Sequence, residues 1–428
     1  MLMTALIITI FCLGYLGIAL EQFIRINKAA IALLTAVFCW TAFILMSPDK
    51  SAVSAQLIEH VGDFSGILFF LMGAMTIVEL IDAHRGFDLI TERIHIDGKR
   101  RLLWLTGSIA FFLSAVLDNL TTTIVMISLL MKFSLSKEER LTFIGMVVIA
   151  ANAGGAWSPI GDVTTTMLWI GNRITSGGII AKVLLPSLVC AIVPLALVSM
   201  RIHGKLESHA HVVRKNIDKK QLRIRNAVFF VGVFALLFVP IFKTLTHLPP
   251  FMGMLLALGV LWVFTELLYA KREEEEKRPF SVAEALGNID MPSVLFFLGI
   301  LASIAALEAA GVLHHLAGWL DTNIRNATAI DLCVGFLSSV VDNVPLVAGM
   351  MGIYDLHRYA VDHHFWIFLS YCAGTGGSVL IIGSAAGVAA MGVANVPFLW
   401  YLRKISLLAI AGYLAGAGFY LLQQLIIH

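Results

Sequence analysis

The sequence predicts an all-α polytopic membrane protein built as two inverted repeats. Each repeat holds about five transmembrane helices plus one re-entrant hairpin, with helices broken near the membrane midplane. Three observations carry this reading. Of 428 residues, 59% are apolar and 14% charged, where soluble domains carry roughly 25% charged residues. Three sequence blocks occur twice in the same order. Finally, the 30 Lys and Arg residues collect on one side of the bilayer only when two apolar segments are read as hairpins.

A helix needs about 20 mostly apolar residues to cross a hydrocarbon core of ~30 Å. Segments 3–20, 28–46, 64–82, 180–200, 227–245, 251–270, 293–312 and 405–425 meet that requirement. The first of them lacks a basic leading region and a small-residue cleavage pattern, so it reads as a retained helix. Residues 104–131 and 332–350 are apolar but carry an aspartate midway, and 141–169 and 364–393 are interrupted by glycine clusters. None of these four regions contains a Lys or Arg. Residues 88–96 read as a short amphipathic surface helix, 271–278 as a solvated loop and Glu266 as interfacial. Cys12, Cys39, Cys190, Cys333 and Cys372 all lie in apolar runs and read as small apolar side chains without disulfide or metal roles. No P-loop, dinucleotide fingerprint, zinc spacing or nucleophile elbow occurs, which points away from an enzyme, a cofactor and a nucleic-acid partner.

The repeat is legible residue by residue. LFFLMGAMTIVELIDA (68–83), SAVLDNLTTTIVM (114–126) and NAGGAWSPIGD (152–162) return as LFFLGILASIAALEAA (295–310), SSVVDNVPLVAGM (338–350) and GTGGSVLIIGS (374–384). The offsets drift only from 227 (Phe69 to Phe296) through 224 (Asp118 to Asp342) to 222 (Gly161 to Gly383). The first repeat is 1–200, a basic linker occupies 201–226, and the second repeat is 227–428. Such duplication is the plan of many secondary transporters.

Basic residues accumulate in cytoplasmic loops. If every apolar segment crosses, the bases divide 13 inside to 17 outside; if 104–131 and 332–350 are hairpins, they divide 24 to 6. The hairpin topology makes five crossings per repeat, an odd number, so the second repeat is inverted and both termini lie outside the cytoplasm. His314 and His315 then face outside, and the linker lies on the cytoplasmic side beside anionic lipid.

Hairpin tips and glycine breaks leave backbone carbonyls free at membrane depth, tolerated only where protein or a water-filled cavity covers them. Beside them stand Asp118, Asp162 and Asp342. A charge at the bilayer centre costs about 3 kcal/mol or more and usually marks an ion path. Dicarboxylate or phosphate would call for Arg, Lys or uncompensated helix N-termini, whereas carboxylates and carbonyls suit Na⁺, Li⁺ or H⁺. The aspartates also suit helix N-capping, a role compatible with ion binding. Thr164, Thr375 and Ser378 offer hydroxyl ligands or satisfy helix backbone, and Ser338 precedes the second hairpin tip. Glu79, Asp82 and Glu308 read either as interfacial acids or as proton-access groups.

LDNLTTT (117–123), VDNVP (341–345) and NAGGAWSPIGDVTTT (152–166) resemble the signature segments of the NhaD-type sodium/proton antiporters of the ion transporter superfamily. The resemblance extends over nearly the whole chain. It implies a protein of the bacterial inner membrane that exchanges cytoplasmic Na⁺ or Li⁺ for external H⁺, as a homodimer moving its site by an elevator motion. It also implies transport roles for Asp118, Asn119, Asn152, Asp162, Thr164 and Asn343 with nearby serines; the recurrence of the Asp-Asn pair at the symmetric hairpin position makes Asp118 and Asp342 the Na⁺ candidates. Dicarboxylate carriers of the superfamily carry Ser-Asn tips where this chain has Asp118-Asn119 and Asp342-Asn343; arsenite permeases share the Asp-Asn tips. A cation-coupled anion carrier for dicarboxylate or arsenite is therefore the alternative, and an intramembrane acid–base enzyme using the aspartate pair is a third.

Overall fold

The computed structural model describes residues 2–19, 21–91, 96, 98–131, 133–204, 219–270, 277–324, 326–340 and 342–427. Among them every regular element is helical. The first half runs α1 (Leu2–Ala19), α2 (Glu21–Ile24), α3 (Lys28–Met46), α4 (Lys50–Ala83), α5 (Asp88–Thr91), α6 (Lys99–Leu117), α7 (Asn119–Leu130), α8 (Lys137–Ala156), α9 (Val163–Ile170) and α10 (Ser176–Ser199). The second runs α11 (Lys219–Thr246), α12 (Pro250–Tyr269), a 3-10 turn Arg278–Phe280, α13 (Val282–Asn288), α14 (Met291–Ala309), α15 (Val312–Asn323), α16 (Ala327–Leu337), α17 (Asn343–Ile353), α18 (His364–Gly376), α19 (Ala385–Ala394), α20 (Phe398–Lys404) and α21 (Ser406–Ile427). Eight of the described helices are long and apolar enough to cross a membrane. The chain is a polytopic membrane protein whose described elements are all helical.

Two elements differ from the sequence reading. The crossing expected at 64–82 is the second part of α4, whose 34 residues span about 50 Å at 1.5 Å per residue. Its first turns (KSAVSAQLIEHVGD, 50–63) are too polar for a hydropathy window, yet Asp49 caps them by accepting from the Ser51 and Ala52 amides. The arm expected from 104 begins at Lys99: five residues, KRRLL (99–103), extend α6 to 19 residues, long enough to cross. Its follower α7 has only 12. The surface helix expected over 88–96 is seen as α5; residues 92–95 lie outside the described set.

The buried side chains form two apolar clusters. The smaller gathers α1, α3, the middle of α4 and α14; the larger gathers the broken helices with α10, α11, α12 and α21. The seam between them runs along α9 and α17. On α17, Val344 and Ala348 belong to the smaller cluster, Val347 and Met350 to the larger. On α9, Met167 belongs to the smaller, Leu168 and Trp169 to the larger.

Glycine is required where the broken helices touch their neighbours. A Cβ at Gly154 of α8 would land on the Phe111 carbonyl of α6, and one at Gly376 of α18 on the Gly335 carbonyl of α16. Ser114 and Ser338, also 224 residues apart, donate to the Ala151 and Ala373 carbonyls at 2.6 and 2.8 Å.

Candidate ion site

Four helices start where the chain breaks: α7, α9, α17 and α19. Each N-terminus leaves backbone amides without intrahelical partners and a partial positive charge. Asp118, Asp162, Asp342 and Ser384 cap them in that order, accepting from the amides of Thr121 (2.7 Å), Thr164 (3.4 Å), Val344 (3.4 Å) and Gly387 (3.2 Å). Carboxylates thus offset three of the four dipoles that would otherwise attract an anion. Asp118 also accepts from the Thr121 hydroxyl at 3.2 Å and sits at φ 91°, a conformation non-glycine residues rarely adopt.

Two polar chains join the breaks. Asn119 donates to the Asn152 side-chain carbonyl at 3.0 Å, and Asn152 donates to Ser378 at 2.9 Å and Ser384 at 2.8 Å. In the second chain Asn343 reaches Asp162 directly, at 3.3 Å. The difference has a steric cause. Asn152 aligns with Gly374, and a Cβ on Gly374 would lie 3.1 Å from the Asp162 carboxylate. Where the first break has a bridging amide, the second leaves room for a carboxylate.

The remaining predicted residues separate into groups. Thr164 is fully buried beside Asp162, and its hydroxyl has no hydrogen-bond partner of ordinary geometry. Ser338 and Thr375 are buried but spend their hydroxyls on the Ala373 and Tyr371 carbonyls. Glu79 and Asp82 line an open cavity of about 350 Å³ together with Asp88, Asp290, Leu120 and Thr121. That cavity reaches the residue that holds Asp118. Glu308 lies elsewhere, exposed at the end of α14 beside Gly352. His315 is exposed on α15.

One residue was missed. Lys28, the first of α3, places its ammonium 2.8 Å from Asp342. The broken segments themselves contain no base, but the fold brings one to them from 314 residues away. Its place beside the short loop before an apolar run gave only the signal of an interfacial lysine.

Residues 15–357 match a family described as citrate transporter (CitMHS). The chain is 49% identical over 96% of its length to sodium/proton antiporter 1 of Arabidopsis thaliana, covering 71% of that protein. It is 47% identical to sodium/proton antiporter 2 of the same plant, over 96% of this chain and 98% of the relative. To the Na(+)/H(+) antiporter NhaD of Vibrio cholerae serotype O1 it is 30% identical, over 90% of this chain and 84% of that one.

Proposed function

The chain belongs to the citrate transporter (CitMHS) family and, within it, to the NhaD-type antiporters, and on that premise we propose that it exchanges Na⁺ or Li⁺ from the cytoplasmic side for H⁺ from outside. The observation that carries this over citrate or another anion is the set of carboxylate caps. Asp118, Asp162 and Asp342 occupy three of the four helix N-termini at the breaks. An anion seated there would meet the Asp118 and Asp162 carboxylates with the favourable dipoles already compensated, while Lys28 is engaged by Asp342. A cation would meet carboxylates, amide oxygens and the Thr164 hydroxyl, all oxygen donors suited to a hard ion.

The inverted-repeat plan and the orientation, with basic loops in the cytoplasm and both termini outside, are part of this reading. They are supported by the 24-to-6 division of bases. Packing also favours the plan: α3 packs on α1 and α14, and α12 packs on α11 and α4. Glu79 and Asp82 supply the cytoplasmic access, concentrating cations above Thr121 and Asp118. The seam along α9 and α17 is where one body would slide on the other. A homodimer in an inner-membrane setting completes the proposal.

Everted vesicles carrying the protein test it. Adding Na⁺ or Li⁺ should dissipate a preformed pH gradient, and Asp118→Asn or Asp342→Asn should abolish the response. Saturable succinate or arsenite flux without Na⁺-dependent proton movement would overturn it.

A further inference from the structure

We infer that Lys28 is a resident counter-ion of Asp342, and that a transported cation must displace its ammonium to use that carboxylate. The inference rests on the reading of Asp342 as part of the ion site and adds a regulator to it.

The geometry is that of a seated ion rather than a passing surface contact. Nζ stands 2.8 Å from Asp342 Oδ2, with the side chains 25% and 17% exposed. The same ammonium lies over the Phe296 ring at 4.4 Å from its centroid, a second favourable position for a cation. The hydroxyl of Tyr15, on the neighbouring α1, is buried there without a hydrogen-bond partner. Its oxygen lone pairs are thus unused and open to a cation that arrives at Asp342.

Lys28 also has somewhere to go. Glu21 turns its carboxylate onto the backbone amide of Lys28 at 2.9 Å, so a second acid stands at the root of the same side chain. Glu21 thus offers the displaced ammonium a second acid within its own segment.

The pair further ties the start of α3 to the start of α17. Lys28 opens α3, whose packed residues belong to the smaller apolar cluster; Asp342 caps α17, which straddles the seam. With Lys28 in place the Asp342 charge is neutralised and the seam is tied; a cation at Asp342 keeps the neutrality and unties it. Asp342 is then compensated without a proton, which leaves proton exchange to Asp118 and Asp162.

The test uses purified protein in detergent, with Na⁺ (against choline) titrated as a thermal stabiliser. Lys28→Gln removes the competitor and should lower the Na⁺ midpoint about tenfold or more, since an ion pair at this separation is a strong local charge. Lys28→Arg should stay within about threefold of the wild type. A Lys28→Gln midpoint within twofold of wild type, while Asp342→Asn loses Na⁺ stabilisation, would overturn the counter-ion role and leave the ion site standing. Loss of Na⁺ stabilisation in folded Lys28→Gln would also overturn it, making Lys28 a supporting part of the site. An unchanged midpoint in Asp342→Asn would instead sink the underlying reading of Asp342. A measurement on the wild type covers the event that Lys28→Gln does not fold. Acylation of Lys28 by an amine-reactive ester, read by mass spectrometry, should rise severalfold in Na⁺ over choline; a yield indifferent to Na⁺ overturns the displacement.

Discussion

Asn343 donates its side-chain amide to Asp162 across 181 positions of sequence, at 3.3 Å. The two residues belong to opposite halves of the chain, and both are buried, 4% and 3% exposed. A buried acceptor that loses its donor carries its full desolvation penalty, about 1–3 kcal/mol and more for a charge. Asn343→Ala should therefore lower the thermal unfolding midpoint of the purified protein. In an Asp162→Asn background the same substitution should cost less. A double-mutant cycle should give a coupling of about 1 kcal/mol or more; additive effects would mean the contact contributes nothing.

Close helix approach leads to a second expectation. Gly154→Ala and Gly376→Ala each drive a methyl into a backbone carbonyl, which no rotamer change relieves. Both should lose most folded protein by size-exclusion chromatography. Gly259 lies in α12 with nothing within 4 Å of its would-be Cβ, so Gly259→Ala should be neutral or stabilising by up to about 1 kcal/mol. Equal tolerance at all three sites would refute the packing argument.

These residues also show what the sequence made legible. The paired Asp-Asn tips and glycine breaks located the capped helix starts, because an acid between apolar runs has few places to sit. Spacing could not say that Asn343 meets Asp162 while Asn119 meets Asn152, since that depends on the vacancy at Gly374. Nor could it find Lys28, whose partner is 314 residues away. Hydropathy likewise missed the start of α4, which is held by an Asp49 cap rather than by apolar content.

The acidic cavity above Thr121 predicts an effect on access rather than on chemistry. Glu79→Gln with Asp82→Asn removes two of its four acids. The apparent KM for Na⁺ in everted vesicles should rise about three- to tenfold at low ionic strength through lost electrostatic focusing. The difference should shrink near 0.15 M salt, where the Debye length is about 8 Å. A collapse of maximal rate at unchanged KM would place these acids in the exchange itself.

On the opposite side from that cavity in the proposed orientation, His363 caps α18. Its Nδ1 accepts from the Phe365 amide at 3.2 Å, which requires the neutral ring. Burial holds its pKa below the usual histidine value, and the charge of Lys182 pushes the same way. A folded pKa below the unfolded one means the unfolded chain binds the proton more readily. The cap's contribution is therefore complete above about pH 6.5 and is lost as pH falls through the lower folded value. Protonation removes the acceptor and frees the first turn of α18, at a cost of about 1 kcal/mol. Hydrogen exchange of peptides beginning at His364, corrected for intrinsic rate, should show less protection at pH 5 than at pH 7.5. His363→Asn keeps an acceptor at every pH and should erase the difference; a pH effect that survives in this variant would assign it to His364 or another group.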